Sequence, residues 1–334
     1  MSYTSGGLIE ATDYNGFANT TTNANVNSIW AAGTGDRGYG QTALATVAAG
    51  GVVTAAQWAS LVNTIASIAS HQGTSITART APTAGNLIEV LSNINTDLST
   101  LTTNRGRAAA SGTTIGAFTG AVSKTTATGS GQAAWTITFT QTVTFASANA
   151  ARYFFNAGGI VRLLYNKSST GTDHDPDWNV FSGQTGTINF TGRVAGANQV
   201  IAGTTYSGTT RIGGTGGTQT TLATTTGFYN LTAGGAAVTV FQLNNATAPY
   251  TPEFIRTQVA LNAAGTVLTF TTVWSDDGTT AAGTTSNISG GTATTSPATS
   301  ITGTAPTTLL NLIPPSTSHL TASWGTPTIA SSVA

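Results

Sequence analysis

The stretch from Trp135 to Tyr165, WTITFTQTVTFASANAARYFFNAGGIVRLLY, decides the fold. From Trp135 to Phe145 apolar residues largely alternate with threonine, which is the period of a strand with one buried face. Ser147 is a suitable N-cap for a short helix, and residues 156–159 include two glycines that tolerate positive φ. The stretch therefore predicts a strand, a short helical segment, a Gly-Gly break and a second strand from Ile160.

The composition points to an assembled protein. Only 7% of the 334 residues are charged, against about 25% in ordinary soluble domains, and the formal net charge is zero. Solubility then depends on hydroxyl and amide groups, and a chain with so little charge tends to associate. We expect a homo-oligomer or another assembly.

The same composition argues against several classes of function. Nucleic-acid binding needs clustered basic residues, whereas this chain has two lysines and scattered arginines. No apolar run approaches the roughly 20 residues that cross a bilayer, and the N-terminus lacks the pattern of a signal peptide. The sequence has no cysteine, which excludes disulfides and thiolate metal sites. We expect synthesis in a cytoplasm, no membrane span and no nucleic-acid partner.

Residues 1–110 are predicted to form a small helical and loop-rich region for assembly or attachment. The segments 9–17 and 53–61 share one spacing of an aliphatic residue, an alanine, an aromatic residue and a large apolar residue, as if one type of helix start were used twice. Thr54 and Gln57 fit a capping box, and Gly73 fits a helix end after His71 and Gln72. The helix predicted from about 54 to 70 has an apolar stripe of Trp58, Leu61, Val62, Ile65 and Ile68.

A second helix is predicted from Thr83 to Thr102. Its apolar residues have near-heptad spacing and are Leu87, Val90, Leu91, Ile94, Leu98 and Leu101. Two short helices with narrow stripes bury little area, so we expect them to pack on each other and on a neighbouring subunit.

Between the two helix starts lies a glycine-rich turn in which Gly33, Gly35 and Gly38 match the string G-x-G-x-x-G. No hydrophobic strand precedes the string and no buried helix follows it directly, as a dinucleotide site requires. We interpret it as a structural loop.

The rest of the chain has the pattern of an all-β domain. We expect a linker at 111–132, with Phe118 and Val122 as apolar anchors, and an antiparallel, jelly-roll-like β-sandwich at 133–334. Residues 262–265 fit a hairpin turn, and the Gly/Thr-rich stretch 279–308 fits a long loop or an arm lying on another subunit. The predicted strands are 135–145, 159–165, 186–190, 198–205, 225–232, 236–243, 254–262, 266–274 and 320–329. The predicted fold class is therefore mainly β with a small α-helical N-terminal region.

The sequence offers little catalytic chemistry. Alternate carboxylates in Asp173–Asp177 resemble the opening of a calcium loop, but Trp178 and Gln184 stand where such a loop needs glycine and an acid, so a solvated turn is favoured. The histidines at 71, 174 and 319 lie in no catalytic motif, and His71 fits a polar residue near the last carbonyls of a helix. Acids for glycoside hydrolysis are sparse. We expect no enzyme, metal or cofactor.

The aromatic residues around the opening stretch fit a core better than a glycan platform. They are Trp135, Tyr153, Phe154, Phe155, Tyr165, Trp178, Phe181 and Phe190. Arg152 and Arg162 are interpreted as solvated or snorkelling side chains, with pairing to aspartate or to backbone carbonyls at a subunit boundary as the alternative. The residues predicted to carry packing or assembly are Trp58, Leu61, Ile65, Leu91, Ile94, Arg152, Phe154, Phe155 and Arg162.

Three strings resemble signatures of tailed-bacteriophage virion structural proteins. They are A-R-Y-F-F-N-A-G-G at 151–159 with the strand that follows, the glycine-rich turn that ends in Y-G-Q at Gln41, and the segment from V-T-A-A-Q-W to H-Q-G at 53–73. A D-Y-N helix start at Asp13 belongs to the same pattern. The strings occur in order over most of 8–73 and 135–165, whereas 190–334 resembles no family.

The resemblance implies a non-enzymatic component of a virion, in the tail, baseplate or fibre region, assembled in the host bacterial cytoplasm. Its partners would be copies of itself and other virion proteins. A receptor- or glycan-binding adhesin, which would contact the host surface, and a capsid decoration protein remain as alternatives.

Overall fold

The computed structural model describes residues 10–19, 24–85, 93–108, 119–123, 135–167, 174–192, 199–201, 204–206, 210–214, 218–222, 227–245, 252–276 and 305–334. The helices in these ranges are α1 (Ala11–Ala18), α2 (Val26–Trp30), α3 (Ala55–Gln72), α4 (Ile94–Asn104), α5 (Ala148–Asn156) and α6 (His174–Thr185). One-turn 3-10 helices lie at Arg105–Arg107 and Phe228–Asn230. None of the described helices is long and apolar enough to cross a membrane.

The described strands fall into two large antiparallel sheets and one small hairpin. They are β1 (Thr119–Ser123), β2 (Trp135–Thr144), β3 (Ile160–Asn166), β4 (Thr187–Thr191), β5 (Gln199–Ile201), β6 (Thr204–Tyr206), β7 (Thr210–Ile212), β8 (Thr218–Leu222), β9 (Val238–Asn244), β10 (Phe254–Leu261), β11 (Val267–Asp276), β12 (Thr307–Ile313) and β13 (Thr328–Val333).

The two large sheets form a β-sandwich. The first sheet has the order β1-β12-β3-β4-β7 and the second has the order β13-β2-β11-β10-β9-β8. Successive strands β1, β2 and β3 alternate between the two sheets, and so do β11, β12 and β13. In the first sheet β12 pairs with both β1 and β3, and in the second sheet β2 pairs with both β11 and β13. This alternation is the winding of a jelly roll. The predicted fold class, mainly β with a small helical N-terminal region, is confirmed.

Aromatic side chains fill the space between the sheets. Tyr165 of the first sheet stacks on Phe241 of the second, with ring centroids 5.9 Å apart, and Phe190 contacts Phe270 edge-on at 5.4 Å. The buried Tyr165 hydroxyl lies 2.6 Å from the Thr257 hydroxyl across the sheets. The inner faces therefore carry both apolar contacts and a satisfied polar contact.

The opening stretch folds as predicted, into β2, α5 and β3. The Ser147 hydroxyl caps α5 by accepting a hydrogen bond from the backbone N–H of Ala150 at 3.0 Å. Gly158 adopts a φ of +102°, and a Cβ at Gly159 would lie 2.5 Å from the Phe154 ring. The Gly-Gly break is required because the chain turns tightly over its own aromatic side chain.

The helical region is built from two similar helix starts, as the sequence predicts. Thr54 and Gln57 form the capping box of α3, and the backbone N–H of Glu10 donates to Asp13 at the start of α1. The predicted stripe of α3 is buried, with the α1 side chains Tyr14 and Phe17 packed on the Trp58 ring. Because this chain covers the stripe itself, the expectation that the stripe contacts a neighbouring subunit is wrong.

The second predicted helix begins later than expected. Thr83 is not helical, residues 84–85 form a turn, and α4 starts only at Ile94. Asn93 directly before it adopts a φ of +68°, which a right-handed helix does not accommodate. Leu87, Val90 and Leu91 lie outside the described residues.

Some strand predictions are also wrong. Phe228–Asn230, within 225–232, is a 3-10 turn, and in 320–329 a strand begins only at Thr328. The sequence analysis missed β12, because its sequence TTLLNLI lacks a clean alternation of apolar and polar residues although its burial largely alternates. It also missed β1, β7 and β8. The expected linker 111–132 contains β1, whereas Phe118 and most of the 279–308 stretch lie outside the described residues.

The predicted solvated turn at Asp173–Asp177 is wrong for its described part, because α6 begins at His174. Acidic residues favour a helix N-terminus, and proline is tolerated in the first helical turn.

Candidate functional site: the joint between the helical region and the sandwich

Parts of the sequence strings at 31–41, 53–73 and 151–159 meet at one place. There the glycine-rich turn (residues 31–41, hereafter the glycine loop) contacts α5 and the C-terminal end of α3. The segment 319–324 closes over the glycine loop from the C-terminal part of the chain. We call this set of contacts the joint.

Two side chains of α5 hold the glycine loop by its carbonyl groups. Arg152 and Asn156 lie one helical turn apart and therefore face the same side. The Arg152 guanidinium donates two hydrogen bonds to the Gly33 carbonyl, at 3.1 and 2.8 Å. Asn156 Nδ2 lies 2.9 to 3.3 Å from the carbonyl oxygens of Gly35, Arg37 and Gly38. The interpretation of Arg152 as a solvated side chain is therefore wrong, because its guanidinium binds backbone within the chain.

The glycine residues of the loop are required by space and by backbone conformation. A Cβ at Gly33 would overlap the Ser28 carbonyl oxygen, and one at Gly38, where φ is +92°, would lie 2.5 Å from the Gly33 nitrogen. Gly40 has a φ of +72° and packs against the Tyr153 ring. The G-x-G-x-x-G string is thus a structural loop, as predicted, and it follows helix α2 rather than a strand.

The end of α3 contributes His71 and Gln72. His71 lies in the last turn of α3, as predicted, and its Nε2 lies 2.9 Å from the carbonyl oxygen of Ala157, directly after α5. Burial lowers the pKa of His71 to about 4, so the ring is neutral at pH 7 and Nε2 carries the donated proton. Gln72 Nε2 donates to the Tyr39 hydroxyl at 2.8 Å, and this hydroxyl donates to the Arg105 carbonyl at 3.3 Å.

The C-terminal segment is bound by Gln41, the last residue of the glycine loop. Gln41 Nε2 donates to the Thr321 carbonyl at 3.0 Å, and Gln41 Oε1 accepts from the Thr321 backbone N–H at 2.8 Å. The Ser323 hydroxyl donates to the Tyr39 carbonyl at 2.8 Å. Segments about 280 residues apart in sequence are therefore joined by paired amide hydrogen bonds.

Tyr229 completes the joint from the 3-10 turn after β8. Its hydroxyl donates to Asn156 Oδ1, and burial raises the pKa of Tyr229. Sequence reasoning missed Gln41, Thr321 and Tyr229 as joint residues. Of these three, only Gln41 could have been singled out from the sequence, because it stands at the end of the glycine-rich string. Thr321 and Tyr229 lie in a region with no recognised motif.

The remaining predicted packing residues lie in three places. Trp58, Leu61, Ile65 and Ile94 are buried in the helical core, whereas Phe154 and Phe155 contact each other edge-on in the core beneath the joint. Arg162 lies away from the joint on β3, is 1% exposed, and donates from Nε to Asn189 Oδ1 at 2.6 Å. The solvated interpretation is therefore wrong for Arg162 as well. Leu91 lies outside the described residues.

The predicted core aromatics are buried where the structure describes their side chains. Phe154, Phe155, Tyr165, Trp178, Phe181 and Phe190 are each at most 4% exposed. Tyr153 is half-buried against Gly40 in the joint, and the side chain of Trp135 lies outside the described part of the structure.

A cavity of about 370 Å³ lies along α3, next to the chain that follows the helix. Its lining includes the apolar residues Val62, Ile65, Ala69 and Ile76 together with Arg79, which forms an ion pair with Asp97 at 2.5 Å. The polar lining residues other than Arg79 are the hydroxyl side chains of Ser70, Thr74, Ser75 and Thr77, and no histidine, aspartate or glutamate lines the cavity beside them to act as a general base. Among the described residues no group of three histidines, aspartates or glutamates could hold a metal ion.

The fold and the joint define an antiparallel β-sandwich onto which a small helical region is locked by mostly neutral hydrogen bonds. Comparison of the chain with protein-family models, with curated proteins and with solved structures finds no match in any of the three.

Proposed function

We propose that this chain is a non-enzymatic structural component of a tailed-bacteriophage virion, associated with the tail, baseplate or fibre. It acts by assembling with copies of itself and with other virion proteins. The observation that carries the proposal is the meeting of the three signature-like strings at one joint. Their polar groups bind backbone carbonyls and one another, which supports a role that depends on shape rather than on reaction chemistry.

The exposed parts of the fold suggest which surface takes part in assembly. The apolar stripe of α3 is covered within the chain, so it is not available to a partner. The outer face of β2 presents threonines at every second position from Thr136 to Thr144, all partly or fully exposed, and β13 beside it is also largely exposed. This uncharged pleated face suits contact with another uncharged polar surface, because neither side must desolvate a charge.

Three measurements test the proposal. Light scattering of the purified chain should detect an oligomer, and mass spectrometry of gradient-purified phage that encodes the chain should find a fixed copy number. Antibody-gold labelling in electron micrographs should place the label on the tail. A chain that is monomeric at all concentrations and missing from purified particles would refute the proposal. Label on the head, with a copy number that matches the capsid lattice, would instead identify a decoration protein.

The alternative of a receptor- or glycan-binding adhesin depends on exposed aromatic side chains. Among the described residues the exposed large hydrophobic side chains are Val52 and Val180, and neither is aromatic. This observation does not favour the adhesin. Binding of the purified chain to host cells or to a glycan array would favour it.

A further inference from the structure

His71 is an ionisable side chain sealed inside the joint. It is 1% exposed, and its only hydrogen bond in the described structure joins Nε2 to the Ala157 carbonyl oxygen. Nδ1 is buried without a hydrogen-bond partner among the described residues. A second proton on the ring would therefore create a buried N–H group and a positive charge with no acceptor at Nδ1, which is costly in a protein interior.

The surroundings of the ring offer no compensation for that charge. The glycine loop presents the Tyr39 ring, edge-on at 5.3 Å, and α5 presents the Ala157 carbonyl, which is already occupied by Nε2. The C-terminal segment contributes His319, whose positive charge would further disfavour a proton on His71.

Two arginines and one carboxylate of the joint are bound to groups other than the imidazole. Arg152 of α5 donates to the Gly33 carbonyl, and Arg105, after α4, pairs with Asp36 of the glycine loop at 2.5 Å. The carboxylate of Asp36 is therefore engaged by a guanidinium rather than by the imidazole.

His71 connects the two halves of the joint. Its acceptor, Ala157, follows directly on the helix whose Arg152 and Asn156 hold the glycine loop. Its neighbour Gln72 holds the Tyr39 hydroxyl of the same loop. If the ring leaves its position, the contacts of α3 with α5 and with the glycine loop are weakened together.

We propose that the joint is an acid-sensitive latch, in which protonation of His71 releases the helical region from the sandwich while the sandwich itself stays folded. This device goes beyond the proposed function and does not depend on it. The imidazole takes its ordinary pKa of about 6.5 when the joint is open and a pKa of about 4 when the joint is closed. Proton linkage then increases the open fraction about 20-fold between pH 7 and pH 5.

The absence of cysteine from the sequence allows a direct test with single thiol reporters. Ala157→Cys places a thiol inside the joint, and Val240→Cys places one in the sandwich core, both at positions with no exposed surface. Labelling with 4,4′-dithiodipyridine at pH 7, 6, 5 and 4.5 is measured in the full-length chain and normalised to the unfolded chain at each pH. Each reporter is also made in a His71→Gln background, where the glutamine amide can still donate to the carbonyl but does not titrate.

We expect protection of the Ala157→Cys thiol to fall about 20-fold from pH 7 to pH 5, and protection at Val240→Cys to stay unchanged. In the His71→Gln background the fall should disappear. His319→Gln, as a matched control, should retain most of it. The latch is refuted if the joint thiol stays protected at pH 4.5, if both thiols lose protection together, or if the fall persists in His71→Gln.

Discussion

At the scale of single residues, Asn156 has the most demanding environment in the joint. Its amide nitrogen faces three carbonyl oxygens of the glycine loop, and its amide oxygen accepts from Tyr229. Only a side chain with a donor and an acceptor on one short branch satisfies both sides. This requirement explains why an asparagine, rather than an aspartate or a leucine, stands at this position.

The substitution Asn156→Asp tests that explanation. It replaces the donating amide by a carboxylate oxygen that faces carbonyl oxygens, so we expect the free energy of unfolding to fall by about 3 to 5 kcal/mol. Urea denaturation followed by tryptophan fluorescence measures the change. Asn166→Asp is a matched control at the exposed end of β3 and should cost less than about 0.5 kcal/mol. Equal losses in the two variants would contradict the role given to Asn156.

Gly40 and Gly35 form a second matched pair. Both have positive φ, +72° and +58°, but a Cβ at Gly40 would overlap the Tyr153 ring, whereas one at Gly35 would meet nothing within 4 Å. Gly35→Ala should lower the free energy of unfolding by about 1 kcal/mol, because alanine tolerates the positive φ less well than glycine. Gly40→Ala should cost about 1 to 3 kcal/mol more, because it adds a steric overlap. Thermal unfolding of both variants measures the difference, and similar melting temperatures would show that the Tyr153 contact is not tight.

At the scale of elements, the helix ends follow local sequence rules. Thr54 and Gln57 close a capping box at the start of α3, and Gly73 ends the helix in the left-handed conformation at a φ of +60°. Such ends are recognisable from sequence because the capping groups lie within a few residues of the backbone that they satisfy.

The capping box of α3 gives a prediction at this scale. Thr54→Ala removes the hydroxyl that accepts from the Gln57 backbone N–H, and we expect a loss of about 1 kcal/mol in the free energy of unfolding. Thr64→Ala, in the half-buried interior of the same helix, is the control and should change stability little, since alanine has the higher helix propensity. Chemical denaturation of both proteins tests this; an equal or larger loss in Thr64→Ala would argue against the capping role.

At the scale of the whole molecule, the helical region and the sandwich share one hydrophobic core. Trp58 and Ile94 of the helical region belong to the same buried cluster as Phe154, Phe241 and Trp274 of the sandwich. The boundary drawn from the sequence between 110 and 133 therefore marks a change in sequence pattern, but the hydrophobic core continues across it.

The shared core predicts cooperative unfolding at pH 7. We expect one calorimetric transition whose calorimetric and van't Hoff enthalpies agree, because separating the two parts would expose apolar surface on both. A truncated chain comprising 109–334 should be less stable and should bind a dye for exposed apolar surface. Two resolved transitions in the intact chain would show that the parts fold independently.

The pH dependence of global stability also follows at this scale. His71 has a pKa of about 4 in the folded chain, below its ordinary value, so the unfolded chain binds more protons between about pH 6.5 and pH 4. The contribution of His71 to stability is therefore complete above about pH 6.5 and is lost as the pH falls toward 4, by about 3 kcal/mol in total.

His71→Gln isolates this contribution. Denaturation curves at pH 7, 5.5 and 4.5 for the native and variant chains should show the native protein losing more stability on acidification, by about 3 kcal/mol at most. The comparison removes the effects of carboxylates, which titrate in both proteins. Identical pH profiles would show that His71 is not the responsible group.

The sequence by itself determined the parts of this protein that depend on near neighbours. The strand, helix, Gly-Gly break and strand of 135–165, the capped start and glycine end of α3, and the fold class all follow from period, capping residues and turn residues. Near the candidate site, the glycine loop was recognised as structural because its flanking sequence lacks the strand of a nucleotide site.

Only the tertiary structure decided which distant groups meet. Gln41 binds Thr321 from 280 positions away, His71 binds the Ala157 carbonyl, and Arg152 and Arg162 are bound to partners inside the chain rather than solvated. The sequence around a polar residue is the same whether its side chain faces water or a buried carbonyl group. Which of the two it meets depends on the distant segment that the fold places opposite it. For the same reason β12 was missed: neighbouring leucines and Asn311 break the alternation of its sequence, and which of its residues are buried is set by the layers packed against it.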